Sequence, residues 1–181
     1  MAARLITPPV AMAVTLDEAR TAARVDGPDL DSAIEIQVRA ITESAEHEMN
    51  RALITQTYVD TIDKFDGAID LSPLPVQAVT SVKYWDTSGV RQTLPASAYS
   101  LVATSKLARV ELAPGQSWPA TFSRSDAIEV EFVAGYGASP ADTPFAIKAY
   151  ILTKVQEHFA PPGTPQAGNV DRFLDRYRVY R

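Results

Sequence analysis

The chain contains no cysteine. Disulfides, thiolate metal ligands and cysteine nucleophiles are excluded together. A cysteine-free chain suits a reducing cytosol, or a particle that must survive both outside and inside a cell. Histidine is scarce as well: His47 and His158 are the two present. Glu43 and His47 stand four apart and could share an ion on a helix face. No HExxH pattern or second nearby histidine supports that, so a solvated helix face is the better reading. No apolar run approaches the roughly 18 residues of a membrane span. The N-terminal residues lack a signal peptide's apolar stretch, and Pro8–Val14 is apolar but short, with two prolines. Basic residues are outnumbered, 17 Lys and Arg against 22 Asp and Glu, for a formal net charge of −5. A domain that grips nucleic acid usually shows the opposite balance.

Catalytic signatures are missing too. There is no GxSxG elbow, and the scattered serines, including that of Ser117-Trp118-Pro119, have no base beside them. Gly135-Tyr136-Gly137 has neither the third glycine of a dinucleotide fingerprint nor a following P-loop lysine. It reads as a tight exit from a strand, with glycine where φ must be positive. Asp60, Asp63, Asp66 and Asp70 form a carboxylate series at spacings that fit neither a calcium loop nor a glycosidase pair. Turn and edge roles are the plainer reading, with a small hydrolase kept as the alternative. Tyr84, Trp85, Trp118, Phe132 and Tyr136 could stack bases, but only Lys83 and Arg91 lie near them in sequence. Filling a β core is the expected role.

What is present describes an ordinary globular chain. The 181 residues are 46% hydrophobic and 22% charged, near the average for folded domains. A chain of this size hides roughly two-thirds of its unfolded surface. Thr15-Leu16-Asp17-Glu18 is a capping box that predicts a helix over 16–24, broken by Val25-Asp26-Gly27-Pro28. A second helix is expected over 29–52, with Leu30, Ile34, Val38, Ile41, Ala45 and Met49 on one stripe. Its outer face is acidic: Asp29, Asp31, Glu35, Glu43, Glu46 and Glu48 stand against Arg39.

From 54 to 135 the residues favour strands. Thr55–Phe65 is rich in threonine, tyrosine and valine. Val79–Trp85 and Val90–Leu94 flank Asp86-Thr87-Ser88-Gly89, a hairpin signal. Tyr99–Val102 and Ala108–Leu112 read as another pair, and Ile128, Val130, Phe132 and Ala134 alternate along a half-buried strand. Prolines 73, 75, 95, 114 and 119 separate these runs. A third helix is expected over 144–159, with Pro144 in its first turn and Ile147, Ile151, Val155 and Phe159 on one face. Ala149, Tyr150 and Leu152 widen that face, as for a central helix packed on two sides. The segregation of helices and strands means α+β. The expected architecture is a helical core of two N-terminal helices and one C-terminal helix, with an inserted antiparallel β subdomain and an extended C-terminal tail.

Pro161–Gly168 is a linker by composition, between a domain over 1–160 and a tail over 169–181. In the tail Phe173, Leu174, Tyr177, Val179 and Tyr180 alternate with Arg172, Arg176, Arg178 and Arg181. Tyrosine and arginine are enriched in interface hot spots. The tail is either an arm that docks on a neighbour or a C-terminal helix folded back on its own core.

Several segments carry a resemblance in their joint order. Ile6-Thr7-Pro8-Pro9 and Val14–Arg20 open the chain, and Arg51–Thr57 follows the second helix. Leu74–Val82, Ser117-Trp118-Pro119, Ala134–Gly137 and Tyr177-Arg178-Val179 come after. In this order the chain resembles, over almost its whole length, the head–tail connector (adaptor) family of long-tailed double-stranded DNA phages, prophages and gene transfer agents. The resemblance implies a virion protein of the neck, made in the bacterial host cytoplasm; the missing thiols, phosphate loop and paired base and nucleophile add the expectation of no enzymatic activity, cofactor or metal. It implies a ring, typically of twelve copies, beneath the portal protein, extending the DNA channel and receiving the next neck or tail component. The C-terminal segment of the family tends to reach the portal. That makes Phe173, Leu174, Arg176, Tyr177, Arg178, Val179 and Tyr180 the expected portal-binding arm. A conduit should not hold phosphates tightly. Asp31, Glu35, Glu43 and Glu46 are accordingly expected to face the lumen or an adjacent subunit, with packaged DNA passing without tight binding. Another neck role, such as a stopper or tail-completion protein, is the alternative. A nucleic-acid-binding module is disfavoured by the charge.

Overall fold

The computed structural model describes residues 3–166 and 168–179 of the chain. It is an α+β fold of two compact units. One unit takes residues 3–8 and Thr55–Gly135; the other takes Pro9–Ile54 and the chain from Tyr136 onward.

The first unit is built of β-strands, with one 3-10 turn at Ala96–Ala98. Its strands are β1 (Arg4–Thr7), β2 (Gln56–Ile62), β3 (Ile69–Asp70), β4 (Val76–Trp85), β5 (Arg91–Thr93), β6 (Tyr99–Ala103), β7 (Ala108–Leu112) and β8 (Ile128–Ala134). They form a five-stranded sheet in the order β1-β2-β8-β4-β5 and a three-stranded sheet in the order β3-β7-β6. All the strand pairs are antiparallel. β8 is the central strand, and its alternation does what period-2 patterning requires. Ile128, Val130, Phe132 and Ala134 are buried, while Glu129, Glu131 and Val133 are only half-buried. Phe132 stacks on Tyr58 across the β2–β8 pair, with ring centroids 5.7 Å apart. The β4–β5 turn is fixed by Asp86: its carboxylate accepts from the Ser88 and Val90 amides at 2.9 and 3.0 Å, and Gly89 sits at φ +76°.

The second unit is helical: α1 (Leu16–Ala23), α2 (Asp31–Met49) and α3 (Phe145–Phe159). The expected capping box is formed, with the Glu18 amide donating to Thr15 Oγ1 at 3.1 Å and the Thr15 amide to Glu18 Oε2 at 2.7 Å. The expected stripe of α2 is buried from Ile34 through Val38, Ile41, Ala45 and Met49. Burying each large aliphatic of such a stripe is worth about 1.5–3 kcal/mol. α3 packs against α1, α2 and a 3-10 turn at Val170–Phe173, contributing Ile147, Tyr150, Ile151 and Val155 to the core.

Element bounds differ from the sequence-based expectation at particular residues. α2 begins at Asp31, so Leu30 is its N-cap and is half-exposed rather than part of the stripe. α2 stops at Met49 because Asn50 adopts the left-handed conformation, and its amide and that of Arg51 close onto Glu46 and His47 carbonyls. Two strands were not expected. β1 is exposed at all four positions and β3 is two residues long, so neither leaves a hydrophobic alternation to read. Gly135 has φ +136°, as its strand-exit role requires. Gly137 serves a different need: a Cβ there would lie 2.3 Å from the Asp142 carboxyl carbon. That carboxylate accepts from the Ser139 amide at 2.9 Å ahead of α3.

Candidate functional site

The tail and the outward face of α2 are the two surfaces singled out by sequence, and both belong to the helical unit. After the exposed stretch 161–166 the tail forms two 3-10 turns, Val170–Phe173 and Asp175–Tyr177. It folds back on its own core. Val170 is 5% exposed and Leu174 is fully buried, and both join the cluster built by α2 and α3.

The tail is also held through its backbone and charges. The Arg51 Nε donates to the Tyr177 carbonyl at 2.5 Å, and the Val179 amide donates to the Met49 carbonyl at 3.2 Å. Arg178 pairs with both Glu48 and Asp175. Lys154 of α3 lies 3.7 Å from Asp171. Arg51 itself is buried, and it interacts with Tyr136; burial pushes the Tyr136 phenol up, while Arg51 pulls the other way.

The seven residues expected to form an arm therefore separate. Leu174 is committed to the core, and Tyr177 is half-buried against it. Arg178 and Val179 are half-buried and engaged with the end of α2. Phe173 is 45% exposed, and Arg176 is exposed with its guanidinium 5.3 Å from the Tyr177 ring. Tyr180 lies outside the described residues.

The acidic residues separate in the same way. Asp31 is clamped by Arg20, whose Nε and Nη2 donate to its two oxygens at 2.7 and 2.5 Å. That hydrogen bonding holds the Asp31 carboxyl below the usual range. Glu46 accepts from the Leu53 amide at 2.6 Å, satisfying the chain just after α2. Glu35 is half-buried and Glu43 exposed, on a helix whose outward face also shows Ile36 at 69% exposure and Arg39. The outer face of α2 is thus mixed, and its free acidity rests on Glu35 and Glu43.

The aspartate series does not converge. Asp60 is buried in β2, Asp63 accepts from the Asp126 amide at 2.9 Å, Asp66 pairs with Lys64 at 3.2 Å, and Asp70 ends β3. Among the described residues there is no group of three or more His, Asp or Glu that could hold a metal ion. The aromatics mostly fill packing roles: Trp118 stacks on Phe65 at 4.4 Å, and Tyr84 meets the same ring edge-on. Trp85 departs from that role, since the Arg124 guanidinium lies 5.0 Å from its ring. Arg51 and Arg124 carried no role in the sequence reading. Arg51 had one signal, a lone charge ahead of the apolar Ala52-Leu53-Ile54; Arg124 had none, because its partner lies far away in sequence.

Comparison with known proteins gives fold-level matches. No protein-family model matches the chain, and no curated protein matches it significantly. Solved structures do match along the whole chain. One is a chain of the neck of an empty gene transfer agent (GTA) particle computed with C6 symmetry, at TM-score 0.83 and 21% identity, covering 97% of that chain. Another is from the virion of a native GTA particle, at TM-score 0.82, 23% identity and 97% coverage. A third is from the neck of a native GTA particle computed with C12 symmetry, at TM-score 0.75, 22% identity and 97% coverage. At these identities the likeness is one of fold.

Proposed function

We propose that the chain is a structural head–tail connector (adaptor) subunit, one copy of a ring beneath a portal protein, that extends the DNA channel and joins capsid to tail in the virion neck. The observation that carries this reading is the end-to-end superposition on chains from GTA necks and virion. The motif order read from the sequence points to the same family. One matched neck was computed with C6 symmetry and another with C12, and a ring of twelve is compatible with both.

In this reading the subunit has no catalytic task, and its partners are neighbouring copies, the portal, the next neck component, and DNA that passes without being held. Of the expected portal-binding arm, Phe173 and Arg176 offer surface directly, whereas Leu174 contributes by holding the tail in place. Glu35 and Glu43 are the acidic residues available to a lumen or a neighbouring subunit. A stopper or tail-completion role in the same neck is the second reading, which a likeness to neck chains supports equally.

The test is electron microscopy of the purified protein mixed with its portal. Rings coaxial with the portal are expected. Binding to a tail component with none to the portal selects the second reading, and no binding to either removes the connector assignment.

A further inference from the structure

The β unit carries a groove of about 210 Å³ on the polar face of the five-stranded sheet. Thr61, Lys83, Trp85, Arg91, Arg124 and Glu129 line it. The strand register explains the gathering: Thr61 and Lys83 both stand opposite Glu129, and Trp85 stands opposite Arg91. Arg124 arrives from the segment before β8, which Asp63 fixes by accepting from the Asp126 amide.

The charges in the groove are unequally spent. Arg91 pairs with Glu129 at 2.7 Å and Lys83 with Glu131 at 3.6 Å. Arg124 lies over the Trp85 ring and donates to the Ser125 carbonyl at 3.1 Å; among the described residues it has no carboxylate partner. A guanidinium stacked on an aromatic face is pre-organised, and its free edge presents paired donors matched to an oxyanion.

We propose that this groove receives a single carboxylate side chain from an acidic peptide segment of a partner protein. Arg124 takes the carboxylate and Trp85 covers its aliphatic stem. The balance of charge selects the class of partner. One cation is unspent, and Asp126 and Glu129 border the same space, so the groove takes one carboxylate at a time, with the other carboxylates of a flexible peptide left in solvent, and it cannot follow a run of closely spaced nucleic-acid phosphates. The volume likewise suits one side chain.

The protein contains two tryptophans, so Trp118→Phe leaves Trp85 as a local reporter. In that background, hexaglutamate should produce a saturable, salt-sensitive change in Trp85 fluorescence, and hexalysine none. Arg124→Gln should weaken the hexaglutamate response by roughly tenfold, the scale of a lost charge-assisted hydrogen bond. Glu129→Gln should strengthen it, because Arg91 is then released. That opposite-signed arm decides the matter alone if Arg124→Gln fails to fold. A flat titration, an oligo-dT titration as tight as hexaglutamate, or a Glu129→Gln variant that binds no better than its parent overturns the proposal. The titration uses the free subunit, so its outcome is separate from whether that subunit builds a neck.

Discussion

Arg51, buried just past the end of α2, donates its guanidinium to the backbone carbonyl of Tyr177, 126 residues further along the chain. The contact ties the chain's last described turn to the point where α2 ends. It makes the tail part of the helical unit's fold, so tail residues cannot be treated as a free appendage.

Replacing Arg51 with Met should loosen this tie. The Tyr177 carbonyl would lose its donor, and an unmet buried acceptor costs about 1–3 kcal/mol. Urea denaturation should show a loss on that scale, and amide exchange should quicken selectively over 170–179. An Arg51→Met protein with unchanged exchange in the tail would mean that Val170, Leu174 and the contacts of Arg178 and Val179 with the end of α2 hold it without Arg51.

Leu174 and its neighbour Phe173 should behave oppositely. Leu174 is fully buried, so Leu174→Ala should cost about 2–5 kcal/mol through lost burial and a residual cavity. Phe173 is 45% exposed, and Phe173→Ala should change stability by roughly 0.5 kcal/mol or less. If the tail meets the portal, Phe173→Ala and Arg176→Ala should instead weaken portal binding, read by co-sedimentation. Portal binding that survives both substitutions places the interface elsewhere. Deleting the whole tail is a poorer test, because it strips Val170 and Leu174 from the core.

How far the sequence could be read follows from which signals are local. The α2 stripe, the β8 alternation, the Thr15 capping box and the Asp86 turn each depend on residues within a few positions of one another, and each is visible in the chain. The tail gave composition but no period: only Val170 and Leu174 of its described residues are buried, four apart, too few to distinguish an arm from a folded-back segment. The acidic face of α2 was legible as a pattern. What it could not reveal was that Arg20 takes Asp31 and that the Leu53 amide takes Glu46, since both partners lie off the helix. The groove at Trp85 was least legible, because it is assembled from β2, β4, β5 and the segment leading into β8.

Acid should loosen the helical unit through Asp31 and Glu18. Hydrogen bonding from Arg20 lowers the Asp31 carboxyl. Burial alone would raise Glu18, but the Thr15 amide and Lys148 outweigh it and the net direction is down. A carboxylate lowered on folding adds stability above its unfolded pKa, near 4, and that stability is lost as pH falls through the folded value. Stability should therefore decline below about pH 4. Asp31→Asn should be less stable at neutral pH and show a shallower acid decline. Equal acid slopes in the two proteins would remove Asp31 from this account.

Glu35 and Glu43 carry the lumen proposal, and charge reversal tests it. Both sit on the outward side of α2, so Glu35→Lys/Glu43→Lys should leave the fold intact. Two reversals add four charges and take the formal net charge from −5 to −1, so the free subunit still has no basic surplus. A ring is different, because the reversed residues of every copy would converge on one channel. If that channel is their site, the variant ring should retain duplex DNA in a salt-sensitive way, while the wild-type ring does not. If they lie between subunits, the variant should fail to form rings at all. Rings that assemble normally and retain no more DNA than wild type would put this face on the outside of the neck.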